Sequence, residues 1–121
     1  GGSTPAQTFA ISSATVNGST MTVGTPKGVM CAEGETTEDL DVRMNFSNVG
    51  DATAIQVFKG SEQVGTDHEI SGNAASFVVS GAGYGTYTLK VKKSDGSVAT
   101  PGYSIIVSAY SAGGGGGMDQ N

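Results

Sequence analysis

The chain has 121 residues and a formal net charge of −5, a length that suits one domain and a charge that disfavours phosphate backbones and other large anions. Two leucines set against an abundance of Val, Thr, Ile, Tyr and Phe exclude a mostly helical domain and point to strands. Cys31 is the one cysteine, so an internal disulfide and the usual multi-thiolate zinc sites are excluded, and no apolar run is long enough to span a membrane.

In chain order, residues 1–6 are small and polar and read as a flexible N-terminal segment. Residues 7–111 carry the folded domain. Phe9 and Ile11 alternate with polar neighbours and open a first short strand. Asn17-Gly18 between Ala14-Thr15-Val16 and Ser19–Val23 predicts a two-residue hairpin, because both central positions of a type I′ turn need positive φ. That register sets Ala14 opposite Met21 and Ser12 opposite Val23. Residues 24–39 read as a long irregular stretch. Residues 40–46 (Leu-Asp-Val-Arg-Met-Asn-Phe) alternate without error, the pattern of a half-buried strand.

Residues 53–59 form the next strand, with Ile55 and Val57 inward, and return through Gly60-Ser61 into a hairpin partner. Residues 66–70 carry no clear pattern, and Ser71-Gly72-Asn73 makes a turn. Residues 75–80 form a strand through Phe77 and Val79, followed by a flexible corner at Gly81, Gly83 and Gly85. Tyr87, Leu89 and Val91 face one side of the next strand. Residues 98–108 form the last, bent at Pro101-Gly102. Residues 112–121, with five consecutive glycines, read as a disordered tail. The spacing predicts an all-β, two-sheet antiparallel sandwich of seven to nine strands.

Few residues point to chemistry. His68 is the single histidine. Asp67 and Glu69 flank it, but neighbours on an extended chain point apart, so the three make no triad and His68 reads as an exposed loop or strand residue. Cys31 has no local base and reads as a buried or incidental thiol. Glu33, Glu35, Glu38, Asp39 and Asp41 read as a solvated acidic stretch that lacks the pattern of a calcium loop. Lys90 and Lys92 read as a solubilising strand face. No catalytic residue, metal ligand or cofactor site is expected.

Gly85-Thr86-Tyr87-Thr88-Leu89-Lys90-Val91, followed by a turn and a long final strand, resembles the end of bacterial immunoglobulin-like domains. In that family a Gly-x-Tyr-x-Leu-x-Val strand runs up the core, and its tyrosine bonds a nearby backbone group as a corner. The hairpin over residues 55–64 is similar to the family's middle hairpin, and the resemblance covers residues 40–110. Having no Trp and no cysteine pair, the chain resembles the bridge-free bacterial branch. Such domains occur on bacterial surface and adhesion proteins and are appended to histone-like DNA-binding proteins of gut anaerobes.

The resemblance implies a non-enzymatic module, a spacer or protein-interaction domain of a larger protein. Phe58 is out of step with Ile55 and Val57, Tyr84 sits on the glycine corner, and Ile106 lies opposite the face of Ile105 and Val107. These three are the candidate binding residues, for a neighbouring domain or protein or for a glycan. Two alternatives stand beside this: an accessory domain of a histone-like protein, with DNA contacted by another domain, and a carbohydrate-binding or adhesion module. The compartment follows the parent, being the cell envelope or exterior for a surface protein and the cytoplasm for a histone-like one.

Overall fold

The structure, a computed structural model, describes residues 9–111. The segments read as a flexible start (1–6) and a disordered tail (112–121) lie outside the described residues. The described chain is all-β, with no helix among its residues, and folds as two packed sheets. Its strands are β1 (Ala10–Val16), β2 (Ser19–Thr20), β3 (Lys27–Met30), β4 (Thr37–Asn48), β5 (Ala52–Lys59), β6 (Glu62–Gln63), β7 (His68–Glu69), β8 (Ala74–Gly83), β9 (Gly85–Lys93), β10 (Val98–Ala99) and β11 (Ser104–Ser108). Four of these eleven are two-residue ladders at hairpins and returns, pairings too short to leave a period in the sequence.

One sheet has the order β2-β1-β4-β8. The other runs β3-β11-β9-β5-β6, with β7 also on β5 and β10 on β9. The sandwich is mixed where antiparallel pairing throughout was expected, because β3 lies parallel to β11. A parallel pair needs a long crossover, and everything between residues 30 and 104 supplies it. The sequence hides β3, since its four residues follow Pro26 and include Gly28.

Alternation decides the core. Leu40, Val42, Met44 and Phe46 of β4 turn inward, as do Phe77 and Val79 of β8. They meet Ile55 and Val57 of β5, Tyr87, Leu89 and Val91 of β9, and Ile105 and Val107 of β11. Asn17 and Gly18 have φ of 51° and 82°, the sign their turn requires. Asn17 also bonds across to β4, its Oδ1 accepting from the Asp41 amide at 2.8 Å. Met21 N donates to Ala14 O as the hairpin register requires. Val23 has left the ladder, however, and does not reach Ser12, because Thr22 and Thr25 close a separate bridge.

The glycines after Ser80 form no loose corner. β8 continues to Gly83 and β9 begins at Gly85. Gly81, at φ 64°, carries a bulge where the register with β4 shifts, and its amide donates to Asp39 Oδ1 at 2.8 Å. The last strand is likewise cut in two at Pro101-Gly102. Gly102 sits at φ +108°, and a Cβ there would lie 2.9 Å from Val23 Cγ1. Val23 is exposed and can swing away, so the backbone conformation sets the cost. Gly102→Ala is expected to lose about 1 kcal/mol, read as a lower urea midpoint with an unchanged slope.

Candidate functional site

Two surface regions emerge from this framework. The first is the outer face of the second sheet. Phe58 points outward from β5, opposite Thr88, but the Lys90 ammonium lies 4.5 Å from its ring centroid and the side chain is half-buried. Ile106 points outward from β11 between Thr86 of β9 and Gly28 of β3, and is 38% exposed. Gly28 leaves that flank of Ile106 open. Exposed Met30 lies one step along β3, and the Ser111 amide approaches its sulfur at 3.2 Å. Tyr110 is exposed on the same stretch of chain.

Phe58 and Ile106 thus share one face, separated by the threonines of β9. Tyr84 stands apart at the turn between β8 and β9. Its hydroxyl donates to the Glu35 carbonyl at 3.3 Å, fastening that end of the sandwich to the loop after Cys31. No hydrogen bond or ring contact links Tyr84 to Phe58 or Ile106 among the described residues.

The second region lies at the open side of the sandwich, where β8 edges one sheet and β6 and β7 edge the other. A cleft of 330 Å³ runs there, lined by Val64, Gly65, His68, Val78, Val79 and Ser80. His68 is not the exposed residue expected. Its ring stacks flat on Phe77, with centroids 3.9 Å apart and planes 5° from parallel, joining the edges of the two sheets. The reason is register: pairing with Ile55 brings His68 to the sheet edge beside the inward-facing Phe77. The out-of-step Val78, 51% exposed, lines the same cleft. The apolar run Phe77-Val78-Val79 was the one sequence signal for this region, since strict alternation would have made Val78 polar.

Burial pushes the His68 imidazole below its ordinary value, and nearby Asp67 opposes this only in part. The folded state therefore prefers the neutral ring. As pH falls, the unfolded chain takes up the proton first, so the stabilisation is complete above the ordinary value near 6.5 and is lost as pH falls toward the lowered one. The thermal midpoint is expected to drop between about pH 7.5 and pH 5, and the drop should shrink in His68→Phe, which keeps the stack but cannot titrate.

Asp67 turns away from His68 to another set of partners. Its Oδ1 accepts from Gln63 Nε2 at 2.8 Å and Gln56 Nε2 at 3.0 Å, and its Oδ2 from Lys92 Nζ at 3.3 Å. Those bonds, Gln63 first and Gln56 next, hold its carboxyl below the usual range. Because a carboxylate only accepts, the Gln56 amide orientation is fixed, and its buried Oε1 meets no hydrogen-bond donor among the described residues.

The acidic stretch is distributed by the fold. Asp39 caps the Gly81 bulge, and Asp41 lies 3.4 Å from Arg43 Nε. Among the described residues no three His, Cys, Asp or Glu side chains gather as a metal site. Cys31 is 1% exposed, and its thiol is pushed up by burial and by the nearby Glu38 and Glu35. Both the burial and the raised thiol disfavour the thiolate form.

Comparison of the chain with protein-family models, with curated proteins and with solved structures gives no match.

Proposed function

We propose that this chain is a non-enzymatic immunoglobulin-like module that acts as a spacer or protein-interaction domain of a larger bacterial protein. The observation that carries the fold half is the bond from the Tyr87 hydroxyl to the Gly83 carbonyl, 2.7 Å long and four residues upstream. It matches the tyrosine corner of immunoglobulin-type sandwiches. The strand pairing agrees: β4 with β8 in one sheet, and β5, β9 and β11 side by side in the other. The interaction half rests on exposed Ile106 and Met30 on the adjacent strands β11 and β3, with exposed Tyr110 just beyond the end of β11.

Hydrogen exchange tests this reading. In the intact parent polypeptide, amides over residues 27–30 and 104–108 are expected to exchange more slowly than in the isolated chain. Paired changes Ile106→Asp and Met30→Asp should abolish the difference without lowering the isolated chain's thermal midpoint by more than a few degrees, as for solvent-facing positions. Identical exchange in both contexts would remove the interaction half. Turnover of a substrate by the chain, largely lost in His68→Ala, would remove the non-enzymatic half.

A further inference from the structure

Asn17-Gly18 is the chain's only asparagine followed by glycine, and that pair carries a chemistry of its own. Asparagine is a thermolabile residue. The main-chain nitrogen of the next residue can attack its Cγ, most easily when that residue is glycine, which has no side chain to shield the nitrogen and a backbone that turns freely. The Gly18 N–Cγ bond forms, the Cγ–Nδ2 bond breaks, and Nδ2 leaves as ammonia with the proton given up by the Gly18 amide. Water then opens the cyclic imide at either carbonyl, leaving aspartate or isoaspartate. Water is the one co-reactant.

The fold holds the Asn17 side chain away from this course. Asn17 makes three bonds to β4. Its amide donates to the Asp41 carbonyl at 2.8 Å, its Oδ1 accepts from the Asp41 amide at 2.8 Å, and its Nδ2 donates to the Asp39 carbonyl at 3.2 Å. Both ends of the carboxamide are thus committed to β4, and swinging Cγ over the Gly18 nitrogen breaks both side-chain bonds. The main chain is fixed too, at φ of 51° and 82° in a turn closed by the Val16–Ser19 and Thr15–Thr20 pairs. Buried Met21 anchors the second arm, its amide bonded to the Ala14 carbonyl at 2.8 Å.

This latch sits where opening costs least. β2 has two residues and lies at the edge of its sheet, and Asn17 and Gly18 are exposed to water. Short, solvated edge elements open locally well before the whole domain unfolds.

We propose that Asn17 is a deamidation site gated by opening of the β1–β2 hairpin, and that its conversion is a one-way switch that unlatches the hairpin from β4. An aspartate at this position keeps an acceptor for the Asp41 amide. It places an oxygen where Nδ2 stood, however, and a carboxylate only accepts, so that oxygen confronts the Asp39 carbonyl. It also adds a negative charge beside Asp39 and Asp41. An isoaspartate lengthens the main chain within a two-residue turn and upsets the register that the turn sets. The inference is independent of the partner the module meets.

The test uses the full 121-residue chain in warm, mildly alkaline buffer, with a synthetic peptide of residues 12–22 as the open reference. Conversion is read by mass spectrometry of digests, and isoaspartate by chromatography. Residue Asn17 is expected to convert before every other asparagine in the urea-unfolded chain, and at least about tenfold more slowly in the folded chain than in the peptide. Met21→Ala, which leaves the Asn17 bonds in place but loosens the second arm, should speed conversion in proportion to exchange of the Asp41 amide, the proton that Asn17 Oδ1 holds. Asn17→Asp, the stable copy of one product, should lower the urea midpoint and quicken Asp41 exchange while leaving exchange over β9 unchanged.

Conversion at the same rate in the folded chain and the peptide overturns the gate. Conversion that rises in Met21→Ala only as far as exchange over β9 rises assigns the gate to global unfolding and overturns it as well. An Asn17 no faster than Asn45, Asn48 or Asn73 in urea removes the site. An Asn17→Asp chain with the parent's midpoint and the parent's Asp41 exchange removes the switch.

Discussion

Replacing Leu89 by alanine is expected to cost about 2–5 kcal/mol, which in a domain of this size lowers the thermal midpoint by more than about 10 °C. Leu89 is wholly buried on β9, the strand that joins β5 on one side and β11 on the other. It stands opposite Val57, and its amide is bonded to the Tyr103 carbonyl at 3.0 Å. Its neighbours across the sandwich are anchored in ladders, so they cannot close fully over the space left. Calorimetry gives the check. A drop of under a few degrees would mean that the two sheets are free to slide together, and the packing described here would be wrong.

Tyr87→Phe carries the second largest effect, about 2 kcal/mol. The ring stays buried and its packing is kept. What is lost is the hydroxyl that donates to the Gly83 carbonyl at 2.7 Å, and that carbonyl is left in a half-buried turn. The bond spans the passage from β8 to β9, where the chain crosses from one sheet to the other, so the loss falls on the connection between sheets. Lys59, whose ammonium lies 5.5 Å from the ring centroid, remains in place in the variant and does not confuse the comparison. Chemical denaturation should show a lower midpoint with the same slope, and faster exchange at residues 83–86. Unchanged stability would make the bond incidental and weaken the immunoglobulin-like reading with it.

The sequence made the long strands legible wherever one face is buried and the other wet. β4 and β9 alternate cleanly because Leu40, Val42, Met44, Tyr87, Leu89 and Val91 all serve one core. Asn17-Gly18 was legible because so few residues accept two consecutive positive φ values. β3 was not: four residues pairing in parallel with a strand 78 positions away leave no local period. The glycines at 81 and 83 suggested looseness, but a bulge uses the same residue type as a loop, and only the Asp39 carboxylate, forty-two positions distant, distinguishes them.

Of the candidate site residues, Phe58 and Ile106 fell on a common outer face, as the alternation implied. The lysine that covers Phe58 could not be read, since Lys90 belongs to another strand and the register between β5 and β9 is set by the whole sheet. The cleft beside His68 was hidden for a similar reason. A histidine between two acids looks solvated in one dimension, and its stacking partner Phe77 comes from the opposite sheet.

The pairing of β3 with β11 also bears on how the chain would respond to being pulled. Once β1 and β2 have let go, tension along the polypeptide enters β3 at Lys27 and leaves β11 at Ser108, which lie at opposite ends of one parallel ladder. The ladder is then loaded in shear. Its bonds share the force and must yield together, whereas a hairpin opened from its free end would unzip them singly. A clasp of this kind between an early and a late strand resists being drawn apart from its two ends.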